Sequence, residues 1–453
     1  MMCEKSPIFA EIMKLITTFR LLSLCLLCLS FMGLTACSEH TEHLEPAPPQ
    51  PAVTDVSLTM ADTVFTDGSI GREGETMEHT LIIYMAAENS MGSFVKSDLR
   101  EMAQSLDSIP ADSRVVVFID DQLSSRIGVA TRGKPFLPVE RFEQNINATD
   151  SSDMEAVLST ILRRFPARHY SLTLWSHASG WVFANPSHAK APRRSFGIDN
   201  GQRSTSNSGN RLNITTLASI LSHYPRMEYI FFDACFMQCA EVAYELRHAT
   251  PYVIASAAEI PGDGAPYQFL LPAMCQTPCA AEELIDSYYQ YYSEGAGART
   301  YRGVQLAVAA TDYIEDLAKA TQPLIDSLFA DRTSPNTSGV QRYTPDPNST
   351  TYADFFDMQH FFYLAAERGD ITQEAYEAWL EAFDLATPYV LLSEEWFSVL
   401  GPYGSHYETL SDIDHCGGMS IFIPNPRYDL MGWTEDYHRL GWYRASGLAN
   451  TGW

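Results

Sequence analysis

Basic residues are the scarcest charged class in this chain of 453 residues: 30 Lys and Arg stand against 56 Asp and Glu, a formal net charge of -26. Such an acidic excess repels nucleic-acid backbones and anionic lipid surfaces, which excludes nucleic acid as a partner and favours cationic ones. A long apolar run is also lacking. The longest, Leu21–Met32, is too short to span a bilayer comfortably as a permanent helix. Cysteine is sparse where it would matter for folding: of nine, four lie at positions 3, 25, 28 and 37, leaving only Cys235, Cys239, Cys275, Cys279 and Cys416 for the folded part. An odd number in an exported chain leaves at least one thiol unpaired. Cys235/Cys239 and Cys275/Cys279 have the loose Cys-x-x-x-Cys spacing without a loop glycine, so no zinc site is expected. No internal repeat is present. The charged fraction, 19%, and the hydrophobic fraction, 45%, exclude bulk disorder and allow a large core in one or two domains.

What is present begins with a basic stretch through Lys14 and Arg20, the apolar run, and then Leu34-Thr-Ala-Cys37. That is the pattern of a secretory signal peptide. Small residues before a cysteine resemble a bacterial lipobox, which implies cleavage after residue 36 and lipidation of Cys37. Residues 37–78, rich in Pro, Glu, Thr and Ser, read as a disordered acidic tether. From residue 80 apolar runs (Leu81–Met85, Val115–Ile119, Ser171–Trp175, Glu228–Phe232, Tyr252–Ser256) alternate with amphipathic stretches (Lys96–Leu106, Asp153–Phe165, Thr215–His223, Ala240–Arg247). Strands apolar on both faces between amphipathic helices predict an α/β fold, a mainly parallel sheet covered by helices on both faces. Residues 79–300 are expected to form this core. Residues 301–453 are more helical, with strands expected at Gly303–Val308 and Met419–Ile423, and are expected to complete and support it.

Ligands of open parallel sheets bind beyond the carboxyl ends of the strands. Two such ends carry reactive residues: Trp175-Ser-His177-Ala-Ser-Gly-Trp181 and Phe232-Asp233-Ala-Cys235. A cysteine just ahead of a helix feels the positive end of its dipole, which favours thiolate, and a neighbouring imidazole can move the proton. His177 precedes Cys235 by 58 residues, near the roughly 50-residue interval of caspases. Taken singly, each has a plain structural role: a buried small hydrophobe for the cysteine, a loop side chain for the histidine.

The segments Leu81–Ser90, Leu174–Trp181, Phe232–Met237 with Glu241–Leu246, Glu259–Gly264 with Tyr267, and Gly418–Pro424 resemble, in consistent order over residues 80–453, the clostripain family of cysteine peptidases. The resemblance implies a caspase-like sheet, a His177/Cys235 dyad, an oxyanion held by the backbone N–H groups of Ala178 and Cys235, and cleavage after Arg or Lys in peptide or protein substrates. The family usually has glycine where this chain has Ala178, which would be strained if that position required positive φ. Asp233 matches the family's pocket acid and Asp263 resembles a second one; an N-cap and a turn residue are their structural alternatives. Lys190 and Arg194, in the basic stretch 187–196, are where self-cleavage of a precursor would fall. No organic cofactor is implied. Several relatives depend on calcium, and no loop of alternating Asp and Asn ligands occurs here, so calcium dependence stays undetermined. The expected protein is thus a lipoprotein endopeptidase, anchored at the outer membrane or cell surface by Cys37. The rival readings are a weak or inactive relative that binds peptides and a surface adhesion lipoprotein whose Cys235 is buried.

Overall fold

Leu81, Ile83 and Met85 lie in one apolar cluster and Ile82, Tyr84 and Ala86 in another, because successive side chains of a strand point to opposite faces of its sheet. The computed structural model describes residues 72–184, 195–199, 201–344, 353–400 and 404–453. All lie in Asp55–Trp453, the second of two units into which the chain divides. The signal peptide, Cys37, most of the expected tether, Lys190 and Arg194 fall outside the described residues.

The strands are β1 (Met77–Ala86), β2 (Ser113–Asp120), β3 (Ser125–Thr131), β4 (Lys134–Arg141), β5 (Ala167–Trp175), β6 (Phe196–Asp199), β7 (Asn210–Leu212), β8 (Ile230–Asp233), β9 (Tyr252–Ser256), β10 (Gln305–Ala310), β11 (Phe356–Asp357), β12 (Tyr389–Leu392), β13 (Glu395–Ser398), β14 (His406–Thr409) and β15 (Ser420–Ile421). Nine form one sheet in the order β12-β10-β9-β8-β5-β1-β2-β3-β4. Its five central strands are parallel, and antiparallel pairs flank them on both edges. The α/β fold with a mainly parallel, doubly covered sheet is therefore as expected.

The helices follow from local chemistry. Asp150 accepts the N–H groups of Ser152 and Asp153, and the helix Ser151–Arg164 it caps carries Asp153 in its first turn and Arg163 and Arg164 in its last, opposing the backbone dipole. Met154, Val157, Leu158 and Ile161, at spacings of three and four, are its buried stripe.

The structure departs from expectation at the edges. The hairpin β3–β4 was not foreseen: Pro135 and Pro138 interrupt β4, and proline is tolerated there because β4 is the outermost strand. The late strand expected at Met419–Ile423 shrinks to β15 and pairs with β11, off the main sheet. The helix Gln373–Ala386 is followed by β12, which carries the chain into the sheet edge. Residues beyond 300 thus supply two strands of the sheet. They also cover one face, where Trp181 packs 4.9 Å from the rings of both Phe422 and Tyr437. Between them the buried Glu241 carboxylate accepts the Phe422 N–H at 2.9 Å and the Tyr437 hydroxyl at 2.6 Å.

Candidate active site

Register sets the two reactive residues beyond adjacent strand ends. Parallel pairing of β5 with β8 sets Trp175 opposite Asp233, so His177 and Cys235, each two residues further on, leave neighbouring strands at the same level of the carboxyl edge. Several bonds hold the histidine loop. Ser176 Oγ donates to the Ala86 carbonyl at 2.6 Å, the Gly197 N–H donates to the His177 carbonyl at 2.9 Å, and Asn89 Nδ2 donates to the Ile198 carbonyl at 2.9 Å. The imidazole Nε2 lies 2.8 Å from Ser90 Oγ, which accepts Asn207 Nδ2 at 3.0 Å.

Cys235 is partly exposed and sits in a turn. The expected helix N-terminus is displaced: the helix starts at Ala240, with Cys239 as its N-cap. The dipole of this helix therefore does not act directly on the Cys235 thiol. A strained turn stands in its place. Phe236 adopts φ +62°, a conformation that costs an L side chain on the order of 1–3 kcal/mol and persists only where its surroundings enforce it. Here the Phe236 N–H donates to the Ala258 carbonyl at 3.0 Å, and the ring stacks on Phe355, centroids 5.5 Å apart. Gly180, at φ +60°, lies beneath; a Cβ there would meet Phe355 at 2.8 Å and the Phe236 carbonyl at 2.9 Å.

Ala178 carries no backbone strain. Among the described residues, positive φ outside glycine occurs only at Arg72, Arg203, Phe236, Asp331 and Arg332. Alanine can therefore occupy this position without penalty.

Asp233, at the end of β8, is 3% exposed. It caps no helix: its carboxylate accepts the Ala265 N–H at 3.0 Å and the Tyr267 hydroxyl at 2.9 Å, and faces Gly264. Burial pushes its pKa up to about 6, against the usual 3.8. Asp263 is exposed in the adjoining turn, with its carboxyl raised by partial burial. Two further acids complete the group, both from the helix Val95–Ser105. Glu101 accepts the Tyr267 N–H at 3.2 Å and is raised to about 7, chiefly by burial. Asp98 is buried and raised well above its usual value by burial, then by Asp233 and Glu101. Three buried or largely buried carboxyls with an exposed fourth beside them are suited to receive a cationic side chain.

Sequence reasoning missed Asp98, Glu101, Ser90 and Asn207. Asp98 did leave a signal: it lies on the buried stripe with Val95, Leu99 and Met102, and an acid within an apolar stripe needs a partner. Nothing in the chain pairs Asn207 with Ser90 before folding. The five cysteines of the described chain form no disulfide. One group of described residues has the donors for a metal ion: Glu88, Asp120 and Asp199.

The family model described as Clostripain family matches residues 83–451. A secreted C11 cysteine protease from Bacteroides thetaiotaomicron, solved with an irreversible peptide inhibitor, is 25% identical with a TM-score of 0.67, over 82% of this chain and 99% of that one. An inactive zymogen C11 protease from Parabacteroides distasonis is 24% identical with a TM-score of 0.65 over the same shares, a likeness of fold. A search of curated proteins finds no match.

Proposed function

Because this chain belongs to the clostripain family of cysteine peptidases, we propose that it is an endopeptidase cleaving after Arg or Lys, with Cys235 as nucleophile and His177 as its proton carrier. The observation that supports this reading is the register of β5 and β8, which sets Trp175 level with Asp233, so that His177 and Cys235 each follow by two residues at adjacent strand ends beside the buried Asp233. In the first step Cys235 Sγ bonds to the scissile carbonyl carbon, and its proton passes to His177. The oxyanion is held by the Ala178 and Cys235 N–H groups. His177 then protonates the leaving amine as the C–N bond breaks. Water, deprotonated by His177, hydrolyses the thioester.

Asp233 meets the cationic P1 side chain, with Asp263 at the rim and Glu101 and Asp98 adding negative potential behind. An unpaired buried cation is costly, so such a pocket discriminates by charge. Of the two bonds for self-cleavage, Lys190–Ala191 is favoured over Arg194–Ser195. Ser195 is buried and its hydroxyl donates to the Leu212 carbonyl at 2.7 Å, which opposes its entry into a cleft as the residue after the cut. Export with lipidation at Cys37 is part of the proposal, supported by the leader pattern and by a relative described as secreted.

The test is hydrolysis of fluorogenic peptides ending in Arg, Lys or an uncharged residue by the wild type and by Cys235→Ala. Cleavage after Arg or Lys that vanishes in the variant is expected. Silence on every peptide, from folded protein already cut within 187–196, would favour the inactive peptide-binding relative.

A further inference from the structure

An imidazole that carries a proton has to present one nitrogen to the thiol while something else holds the other. In this fold the held nitrogen of His177 is Nε2, 2.8 Å from Ser90 Oγ. Ser90 is itself fixed. The Asn207 carboxamide grips it twice: Oδ1 accepts the Ser90 N–H at 3.1 Å, and Nδ2 donates to Oγ at 3.0 Å. One planar group thus sets both the backbone and the hydroxyl of a short side chain.

The end of β1 builds this arrangement. Glu88, Asn89 and Ser90 follow the strand in turn, and each ties down a different segment. The buried Glu88 carboxylate accepts the N–H groups of Gln202 at 2.6 Å and Ser204 at 3.4 Å, which pins the stretch leading to Asn207. Asn89 Nδ2 donates to the Ala86 and Ile198 carbonyls, both at 2.9 Å, and its Oδ1 accepts the Met91 N–H at 2.8 Å. The chain therefore turns sharply into the 3₁₀ helix Ser90–Ser93, whose first residue faces the histidine loop. Around Asn207 the loop is shaped by its own side chains: Ser204 Oγ accepts the Ser206 N–H at 3.0 Å, and Arg211 donates to the carbonyls of Asn207 at 2.6 Å and Gly209 at 2.8 Å.

The donors decide what the hydroxyl does. Its oxygen accepts from Asn207 and keeps a second lone pair. When His177 takes the Cys235 proton, both ring nitrogens carry hydrogen, and Nε2–H then needs an acceptor. That lone pair supplies it, and the imidazolium of the thiolate pair is stabilised. The hydroxyl hydrogen turns to water, since Ser90 is exposed.

We propose that Ser90, gripped by Asn207, is a positioning residue of the peptidase, holding His177 Nε2 so that Nδ1 exchanges the proton with Cys235. This role rests on the Cys235/His177 reading above, and it adds two uncharged contributors to a site of two residues.

The test compares the full chain as wild type, Ser90→Ala, Ser90→Thr and Asn207→Ala in two ways: kcat and KM on an Arg-ended fluorogenic peptide, and the rate of iodoacetamide labelling of Cys235 from acid to alkaline pH. Labelling reads the thiolate without requiring turnover. Ser90→Ala should lower kcat about tenfold or more with KM little changed. Its labelling near neutral pH should fall, with the midpoint moving up toward the ordinary thiol value of about 8.5. Ser90→Thr keeps the hydroxyl and should restore both quantities toward wild type, while Asn207→Ala should move both in the direction of Ser90→Ala by less. A fall in kcat with an unmoved labelling profile overturns the proposal, since lost packing alone would produce it. So does a Ser90→Ala protein that matches wild type in both. Should Ser90→Ala not fold, an Asn207→Ala protein indistinguishable from wild type overturns it equally. A wild type that cleaves no peptide and labels Cys235 only as an ordinary thiol is a different failure, of the dyad itself, and the positioning role falls with it.

Discussion

Cys235 and Cys416 each have a histidine and acids for neighbours, yet the fold treats them oppositely. Cys416 is wholly buried, 3.8 Å from His360 Nδ1, and that nitrogen accepts the Gln341 N–H at 3.0 Å. His360 Nε2 is 4.0 Å from Asp412, and burial holds its pKa below the usual value. Cys, His and Asp are thus assembled where no peptide can reach. Cys235 stands partly exposed on a strained turn at the carboxyl edge of the sheet, level with a histidine whose ring meets exposed hydroxyl and amide groups. The difference teaches that proximity of thiol and imidazole does not by itself make a site. Access from solvent and a strand end to present the thiol do.

Variants of the two cysteines give the largest contrast. Cys235→Ala should lower kcat on an Arg-ended fluorogenic peptide by about 10⁴-fold or more, because the covalent route is lost. Cys416→Ala should leave kcat within about twofold and lower stability by about 1–2 kcal/mol in chemical denaturation, the cost of a small buried cavity. Equal activity losses in the two would erase the distinction. The histidines sharpen it at a smaller scale: His177→Ala should cost about 10²–10⁴-fold in kcat, whereas His360→Ala should act on melting temperature and leave kcat near wild type.

Asp233→Asn separates chemistry from recognition. It should lower kcat/KM for Arg and Lys peptides by about 10²-fold, the worth of a buried charge-assisted contact, with little change on uncharged peptides. The same variant should be more stable without substrate. A carboxyl raised to about 6 from an ordinary 3.8 contributes stability that is present below the lower value and is lost as pH rises through the upper one. Its removal should therefore stabilise the peptide-free protein at pH 7.5 by roughly 1–2 kcal/mol, read from denaturant midpoints. By the same linkage, KM for Arg peptides should rise as pH falls below about 6, where Asp233 takes up a proton. The smallest effect is in thiol labelling. A brief exposure to iodoacetamide should modify Cys235 at least about tenfold faster than Cys239, Cys275 or Cys416, since buried thiols do not reach the reagent until the chain opens.

Much of this was legible before folding. Runs such as Leu81–Met85, apolar at every position, required a sheet covered on both faces, and intervening amphipathic stretches required parallel crossovers. His177 and Cys235 could be picked out because each follows such a run. Less was legible where the signal is weak or nonlocal. β4 carries two prolines and reads as a loop until its place at the sheet edge removes the objection. The helix ahead of which Cys235 was placed begins five residues later, because Phe236 is held at positive φ by Ala258 and Phe355, neither near it in sequence.

The sequence by itself determined the class of fold and the family, and it singled out Cys235, His177 and Asp233 as the candidate site. These rest on periodicity and short-range order, which survive in a linear string. Only the tertiary structure decided that Ala178 is unstrained, that Asp98 and Glu101 join Asp233, that Ser90 meets His177, and that Glu88, Asp120 and Asp199 converge. Several of these depend on strand order in a nine-stranded sheet and on the loops and helices packed against it. That order brings strand ends distant in sequence to one edge, and burial there gives a carboxylate properties that its neighbours in the chain do not encode.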